Sequence, residues 1–356
     1  MKISYYNSNI LFSNIKLLRD LNIIKENISD DYIKLFKQCN LSVNQTVSII
    51  DRTEANKFFI TCVEHRIPKD NNNFNKSFKQ LCEERSIQLL NTGKRLNVFW
   101  SGGIDSTTVL FSLLNKANDL SQIRVIMTSD SIIESGNMFD KLIKNKISYI
   151  LNARNTREQF FKQEEFKDFN FNKELLITGT QLDNLYTILR LKIPIDMEYH
   201  HLQYQEKLSQ HLNKNIVDFF IKSVKAFPKE IKTYGEFLKF YCFTFHWHNA
   251  KYDLKINLDP NYSNLIDSFF DIDDFQKWSL WSDESTITET KDFLKTKIPQ
   301  RNLIYELTGD KLYSFKKGKG MSAPHTQAEN NWFFLMENDS TLTHYNLMNN
   351  YENIII

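Results

Sequence analysis

The chemistry of this chain concentrates in Ser101, Gly102, Gly103, Ile104, Asp105 and Ser106, read as "SGGIDS". Val98, Phe99 and Trp100 before it form a β-prone run, and Ser106 to Leu114 after it carries apolar residues at helical spacing. The stretch therefore reads as strand, tight turn and helix. A helix N-terminus at the end of a strand offers unpaired N–H groups and the positive end of the helix dipole, which suits an anion such as phosphate. Gly102 and Gly103 would let the backbone approach that phosphate, and the hydroxyls of Ser101, Ser106 and Thr107 would add donors. Asp105 would repel it, so its presence calls for a cation, Mg²⁺ being the natural choice. The plain alternative is a Gly-Gly turn that only links strand to helix.

The sequence has no GxxxxGK[ST] and no GxGxxG, which excludes the Walker A loop and the dinucleotide-binding turn. The string does resemble SGGxDS, the pyrophosphate-binding loop of the N-type ATP pyrophosphatases. Within that superfamily, "ELLITGTQLDNLY" is similar to the strand and acidic loop of the asparagine synthetases, with Thr178-Gly179 ahead of Asp183. The resemblance implies ATP with Mg²⁺ as ligands, with Asp105 and Asp183 on the metal and Gly179 beside the pyrophosphate. It also implies a sheet of order 3-2-1-4-5, in which strands 1 and 4 flank a switch point. Val125 to Thr128 would then face the adenine, with Met127 either against the base or buried as strand methionines usually are. A basic loop near the C-terminus, "FKKGKGMS", is similar to the family's Arg-x-Lys segment, which makes Lys319, then Lys317, the catalytic lysine that offsets charge during adenylate formation. For Asp183 a helix N-cap, and for the lysines a solvated turn, are the bland alternatives.

Five of the nine glycines, Gly102, Gly103, Gly179, Gly318 and Gly320, fall in these three segments, which favours one shared backbone-lined site over scattered turns. One departure stands out. Asparagine synthetases carry a glutamate directly after the second-strand glycine and a Gly-x-Asp-Glu string beyond it. Here the residues are Thr180, Gln181, Leu182, Asp183 and Asn184.

To position these segments the chain needs alternating strands and helices, and from Arg95 onward it supplies them: "LNVFW", "IRVIMTS", "ISYIL" and "ELLITG" separated by helical stretches. That pattern predicts an α/β, doubly wound parallel sheet with a helical, aromatic-rich C-terminal lobe. The expected division is a mixed region over 1–93, an ATP-binding core over 94–187, a helical lobe completing the site over 188–325, and a tail over 326–356. The acidic, aromatic run "IDSFFDIDDFQKWSLW" reads as docking on the helical lobe. His246 and His248 in "FTFHWHNAKY" read as packing or substrate contacts, because no carboxylate or cysteine stands at metal-like spacing.

Composition narrows the surroundings. Of 356 residues 41% are hydrophobic, enough for a sizeable core, and 45 Lys plus Arg against 43 Asp plus Glu give no global field toward nucleic acid or an anionic membrane, while a local basic patch stays open. Cys39, Cys62, Cys82 and Cys242 form no CxxC pair and read as reduced thiols. No run approaches the roughly 20 apolar residues of a membrane span, so a cytoplasmic protein is expected.

Taken together, the resemblance implies an AMP-forming ligase that activates a small-molecule carboxylate for attack by an amine. Lys2 stands where a full asparagine synthetase has its glutaminase cysteine, and fewer than 100 residues precede the loop. Ammonia, a separate glutaminase subunit or another amine would then be the nucleophile source. A thiolating or tRNA-modifying enzyme with the same loop, and an ATP-binding sensor without turnover, are the competing readings.

Overall fold

The computed structural model describes residues 2–6, 51–56, 66–69, 74–151, 169–170, 172–186, 203–212, 214–248, 251, 265–285, 297–316, 334–338 and 341–345. The chain divides into two compact units, one joining 72–182 to 257–328, the other joining 1–71, 183–256 and 329–356.

The first unit is built on five strands: β1 (Arg95–Phe99), β2 (Ile123–Met127), β3 (Ser148–Leu151), β4 (Glu174–Thr178) and β5 (Ile266–Ser268). All pair in parallel, in the order β3-β2-β1-β4-β5, which is the expected 3-2-1-4-5 arrangement. Burial runs almost without break along β1, β2 and β4, as it must where both faces of a parallel sheet are covered. Leu96, Val98, Val125, Leu176 and Ile177 are wholly buried, each contributing about 1.5–3 kcal/mol of hydrophobic stabilisation.

Around the sheet run α1 (Phe78–Leu90), α2 (Ile104–Lys116), α3 (Ser129–Met138), α4 (Asp273–Trp281), α5 (Ile298–Thr308) and α6 (Lys311–Lys316). A reciprocal Ser77–Gln80 capping box starts α1. Pro299 in the first turn and Gly309 at a left-handed C-cap bound α5. α3 passes directly into a π-turn at Phe139–Ile143.

The aromatic run expected on the helical lobe belongs to this unit instead. Ile266–Ser268 pairs with β4, and Phe269, Phe270, Phe275 and Trp278 pack together with Phe78 of α1, the Phe78–Trp278 centroids lying 5.1 Å apart. A three-residue strand is too short to declare its period, so the acidic residues around it dominated the pattern.

Inside the sheet, Asn97 on the central strand donates to Glu174 of β4 (3.0 Å) and accepts from Arg124 Nε of β2 (2.6 Å), while Arg124 Nη2 reaches Glu174 at 2.5 Å. These three groups tie β2, β1 and β4 in one register, the bonds satisfying charges that would otherwise be costly to bury.

The second unit contains helices at Tyr204–His211, Lys214–Ala226 and Tyr234–Tyr241, the last continuing as a π-turn at Cys242–His246. Phe219, Phe220, Phe237, Phe240, Tyr241 and Phe245 make a connected aromatic cluster there, the expected aromatic-rich helical region. A three-stranded antiparallel sheet joins Lys2–Tyr6, Phe334–Asn338 and Thr341–Tyr345. Lys239 is buried in this unit, and desolvation, followed by the nearby Lys229, lowers its ammonium to about 7 against partial support from Cys242 and Glu236. No helix of the described residues is long and apolar enough to cross a membrane.

Two outcomes follow. Glu174→Ala leaves the part-buried Arg124 without its carboxylate partner and costs about 1.5–3 kcal/mol in urea unfolding, whereas pairing Glu174→Leu with Arg124→Met recovers most of the loss. For Lys239, the unfolded chain binds a proton that the folded chain lacks between about pH 7 and its ordinary range near 10.5, so stability of that unit rises with pH across this interval. Unfolding curves at pH 7 and pH 9.5 should show the rise, and Lys239→Met should flatten it.

Candidate functional site

Ser101, Gly102 and Gly103 form the turn between β1 and α2, at the carboxyl end of the central strand. Gly102 is left-handed, with φ +77°, and a Cβ there would lie 2.7 Å from the Ser131 carbonyl oxygen. Only glycine fits, on both counts. Gly103 is the N-cap of α2, and Asp105 stands in the first turn.

The Gly102 carbonyl is turned inward. It accepts from Tyr313 OH of α6 at 2.7 Å and from Ser135 Oγ of α3 at 2.8 Å. Ser135 is the one residue of α3 with non-helical angles (φ −148°, ψ 44°), so the helix is broken where its hydroxyl meets the loop. In a trans peptide the carbonyl and the following N–H point in opposite directions, so the inward oxygen turns the Gly103 N–H outward. There Ser101 Oγ accepts from it at 3.3 Å. Ser106 Oγ braces the same turn, accepting from Ser101 N at 3.1 Å and lying 3.1 Å from Ser101 Oγ.

Behind the loop runs a relay. Trp100 Nε1 donates to Thr107 Oγ1 at 2.9 Å, and Thr107 Oγ1 lies 2.7 Å from Tyr313 OH. Indole can only donate and Tyr313 gives its proton to Gly102, so Thr107 donates to Tyr313. Burial pushes the Tyr313 phenol well above its usual range, outweighing its bond to Thr107, and keeps it protonated. Thr107 was expected to offer its hydroxyl to phosphate. It is wholly buried instead, because its place one turn into α2 faces the relay.

Gly179 closes the other side. A Cβ there would come within 3.1 Å of the Asp105 carbonyl carbon and 3.2 Å of Ser106 N, so the end of β4 presses on the first turn of α2. Beyond it, Thr178 and Thr180 hydroxyls pair at 2.8 Å, Thr180 Oγ1 donates to Gln181 Oε1 at 3.0 Å, and Ser268 Oγ donates to the Thr180 carbonyl at 2.7 Å. Where the resemblance would have an acid, this chain has a neutral hydrogen-bonded corner.

Asp105 carries the site's charge, and sequence reasoning missed its partner. Lys297 Nζ lies 2.5 Å and 2.8 Å from the two Asp105 oxygens. Lys297 is buried and left-handed (φ 55°) at the N-cap of α5. Its helix start was readable from Pro299, but nothing in "KTKIPQ" distinguishes it from Lys295. Glu134 also stands near the loop, its Oε1 3.9 Å from the position of a Gly103 Cβ.

Of the other candidates, Met127 is buried at the end of β2. Asp183 is exposed on the turn Leu182–Leu185 and begins the second unit, where it bears on Cys242, while Asn184 Oδ1 lies 3.2 Å from His246 Nδ1. Lys317 and Lys319 lie outside the described residues, as do Gly318 and Gly320. Among the described residues no group of three or more His, Cys, Asp or Glu is gathered as a metal would require. Mg²⁺ commonly needs only one or two carboxylates when phosphates supply further oxygens, and a carboxylate has about four acceptor positions, so Asp105 can serve both Lys297 and a metal.

The fold and turn define a class: a doubly wound parallel α/β protein with a glycine turn at the carboxyl end of its central strand, beside the switch point. No protein-family model matches the chain, and no curated protein matches it at a significant level.

Gly93 provides an internal control for the turn, being left-handed at φ +67° with nothing within 4 Å of a Cβ. Gly93→Ala should cost about 1–2 kcal/mol of stability, the left-handed penalty alone. Gly102→Ala should cost clearly more in the same denaturation assay, the excess measuring the clash with Ser131.

Proposed function

We propose that this chain is an ATP-dependent, AMP-forming ligase of asparagine synthetase type, working in the cytoplasm, that activates a small-molecule carboxylate as an acyl-adenylate for an amine. The observation that carries the reading is the outward Gly103 N–H at the head of α2, framed by Ser101 and Ser106 and abutted by the end of β4. Such a turn suits the β and γ phosphates of a nucleotide.

In this reading Ser101, Gly102, Gly103 and Ser106 cradle pyrophosphate. Asp105 would hold Mg²⁺, with Asp183 as the second ligand, and the metal would supply charge neutralisation on phosphate oxygens. Lys297 fixes the Asp105 carboxylate and adds a cation beside the phosphates as negative charge builds. Lys319 or Lys317 would offset charge on the leaving pyrophosphate. The β2 backbone would face the adenine. The amine comes from ammonia, a separate glutaminase subunit or another amine-bearing molecule.

A second reading has a specific observation in its favour. The corner of Thr180 and Gln181 offers no acid to handle an amine, which suits an ATP-binding sensor without turnover.

The test is incubation of the chain with ATP, Mg²⁺ and pools of carboxylates, with ammonium as the amine. AMP with pyrophosphate supports the ligase; saturable ATP binding without cleavage supports the sensor; ADP with phosphate contradicts both. Asp105→Asn should abolish AMP formation, and Lys297→Met should lower it about 10²-fold or more, within the range seen when a fixed charge-stabilising group is removed.

A further inference from the structure

α6 has no motif and six residues, yet it reaches the centre of the loop. Tyr313 OH, 2.7 Å from the Gly102 oxygen, is buried, supported from behind by Thr107 and Trp100, and also hydrogen-bonded to Ser135. Linked hydrogen bonds polarise one another, so the phenol is a stronger donor to Gly102 than an isolated one. Ser135 shares the same oxygen from a helix broken to reach it. Two side chains from different elements thus converge on one carbonyl, and the peptide they hold sets the direction of the Gly103 N–H.

We propose that Tyr313 is a positioning residue for the phosphate loop: by holding the Gly102 carbonyl inward together with Ser135, it keeps the Gly103 N–H aimed at the bound pyrophosphate. The peptide plane is otherwise free to flip, since glycine accepts the alternative angles with no steric penalty. A flipped peptide would present a carbonyl dipole to an anion. The proposal rests on the ligase reading above and adds to it the device that pre-organises the anion site. α6 ends at Lys316, so the same helix that fixes the loop directly precedes Lys317 in the chain.

Tyr313→Phe keeps the ring and removes the bond; Ser135→Ala removes the other. With [15N]glycine-labelled full-length protein the nine glycine amides report the loop directly. Expected are a shifted Gly103 amide signal in Tyr313→Phe without ligand, Mg²⁺-pyrophosphate binding weakened about tenfold, the worth of one good hydrogen bond, and a further loss in the double variant greater than the product of the single effects. A purely structural tyrosine would lower the unfolding midpoint while leaving the Gly103 signal and the affinity of the folded fraction unchanged, and that result overturns the proposal. Pyrophosphate affinity unchanged in Tyr313→Phe overturns it alone. Failure of the unsubstituted chain to bind Mg²⁺-pyrophosphate removes the ligase reading and this proposal together. Should Tyr313→Phe fail to fold, Ser135→Ala carries the same Gly103 and affinity readouts.

Discussion

A single carbonyl oxygen, that of Gly102, organises the site. Holding it inward takes a tyrosine from α6 and a serine from a broken turn of α3, and it settles which way the next amide points. The constraints around the loop converge on that orientation. Gly102 must be left-handed to make the turn and must lack a Cβ because Ser131 comes so close, and Gly179 must lack one because β4 abuts α2. The parallel register that brings β4 there is fixed in turn by the Asn97–Arg124–Glu174 group inside the sheet. The arrangement is thus a chain of constraints from strand pairing to one peptide plane.

Much of this was legible in the residues. Strands β1, β2 and β4 announced themselves as apolar runs, because a sheet covered on both faces needs them, whereas the edge strand β3 is largely exposed. The glycine turn was legible because its spacing is forced by backbone geometry. Other features were not. Ile266–Ser268 is too short to show a period, and its aromatic neighbours were assigned to the wrong unit. Lys297 is one of three lysines in the stretch "KDFLKTK", singled out by where α5 starts. Tyr313 lies more than 200 positions from Gly102, and no local pattern reports a contact at that separation. Thr107 had the right type for a phosphate donor but the wrong side of its helix.

The pairing of Asp105 with Lys297 changes how the site's charge is understood. A carboxylate beside an anion cradle looked like a demand for a metal, yet it already faces a fixed ammonium. In the proposed ligase Lys297 and a metal would not compete, since phosphate oxygens and the carboxylate could share them, and a lysine set in place by a helix cap would cost no reorganisation as charge develops. In the proposed ligase the neutral corner at Thr180 and Gln181 would bear on the acceptor, and in the sensor reading it would mark the lack of one.

The most direct test of the whole account is a crystal soaked with pyrophosphate and Mn²⁺ in place of Mg²⁺. The account predicts pyrophosphate oxygens within hydrogen-bond distance of Gly103 N and Ser101 Oγ, with an anomalous manganese peak on Asp105. Pyrophosphate and manganese bound away from this turn, with the Gly103 amide unengaged, would contradict it.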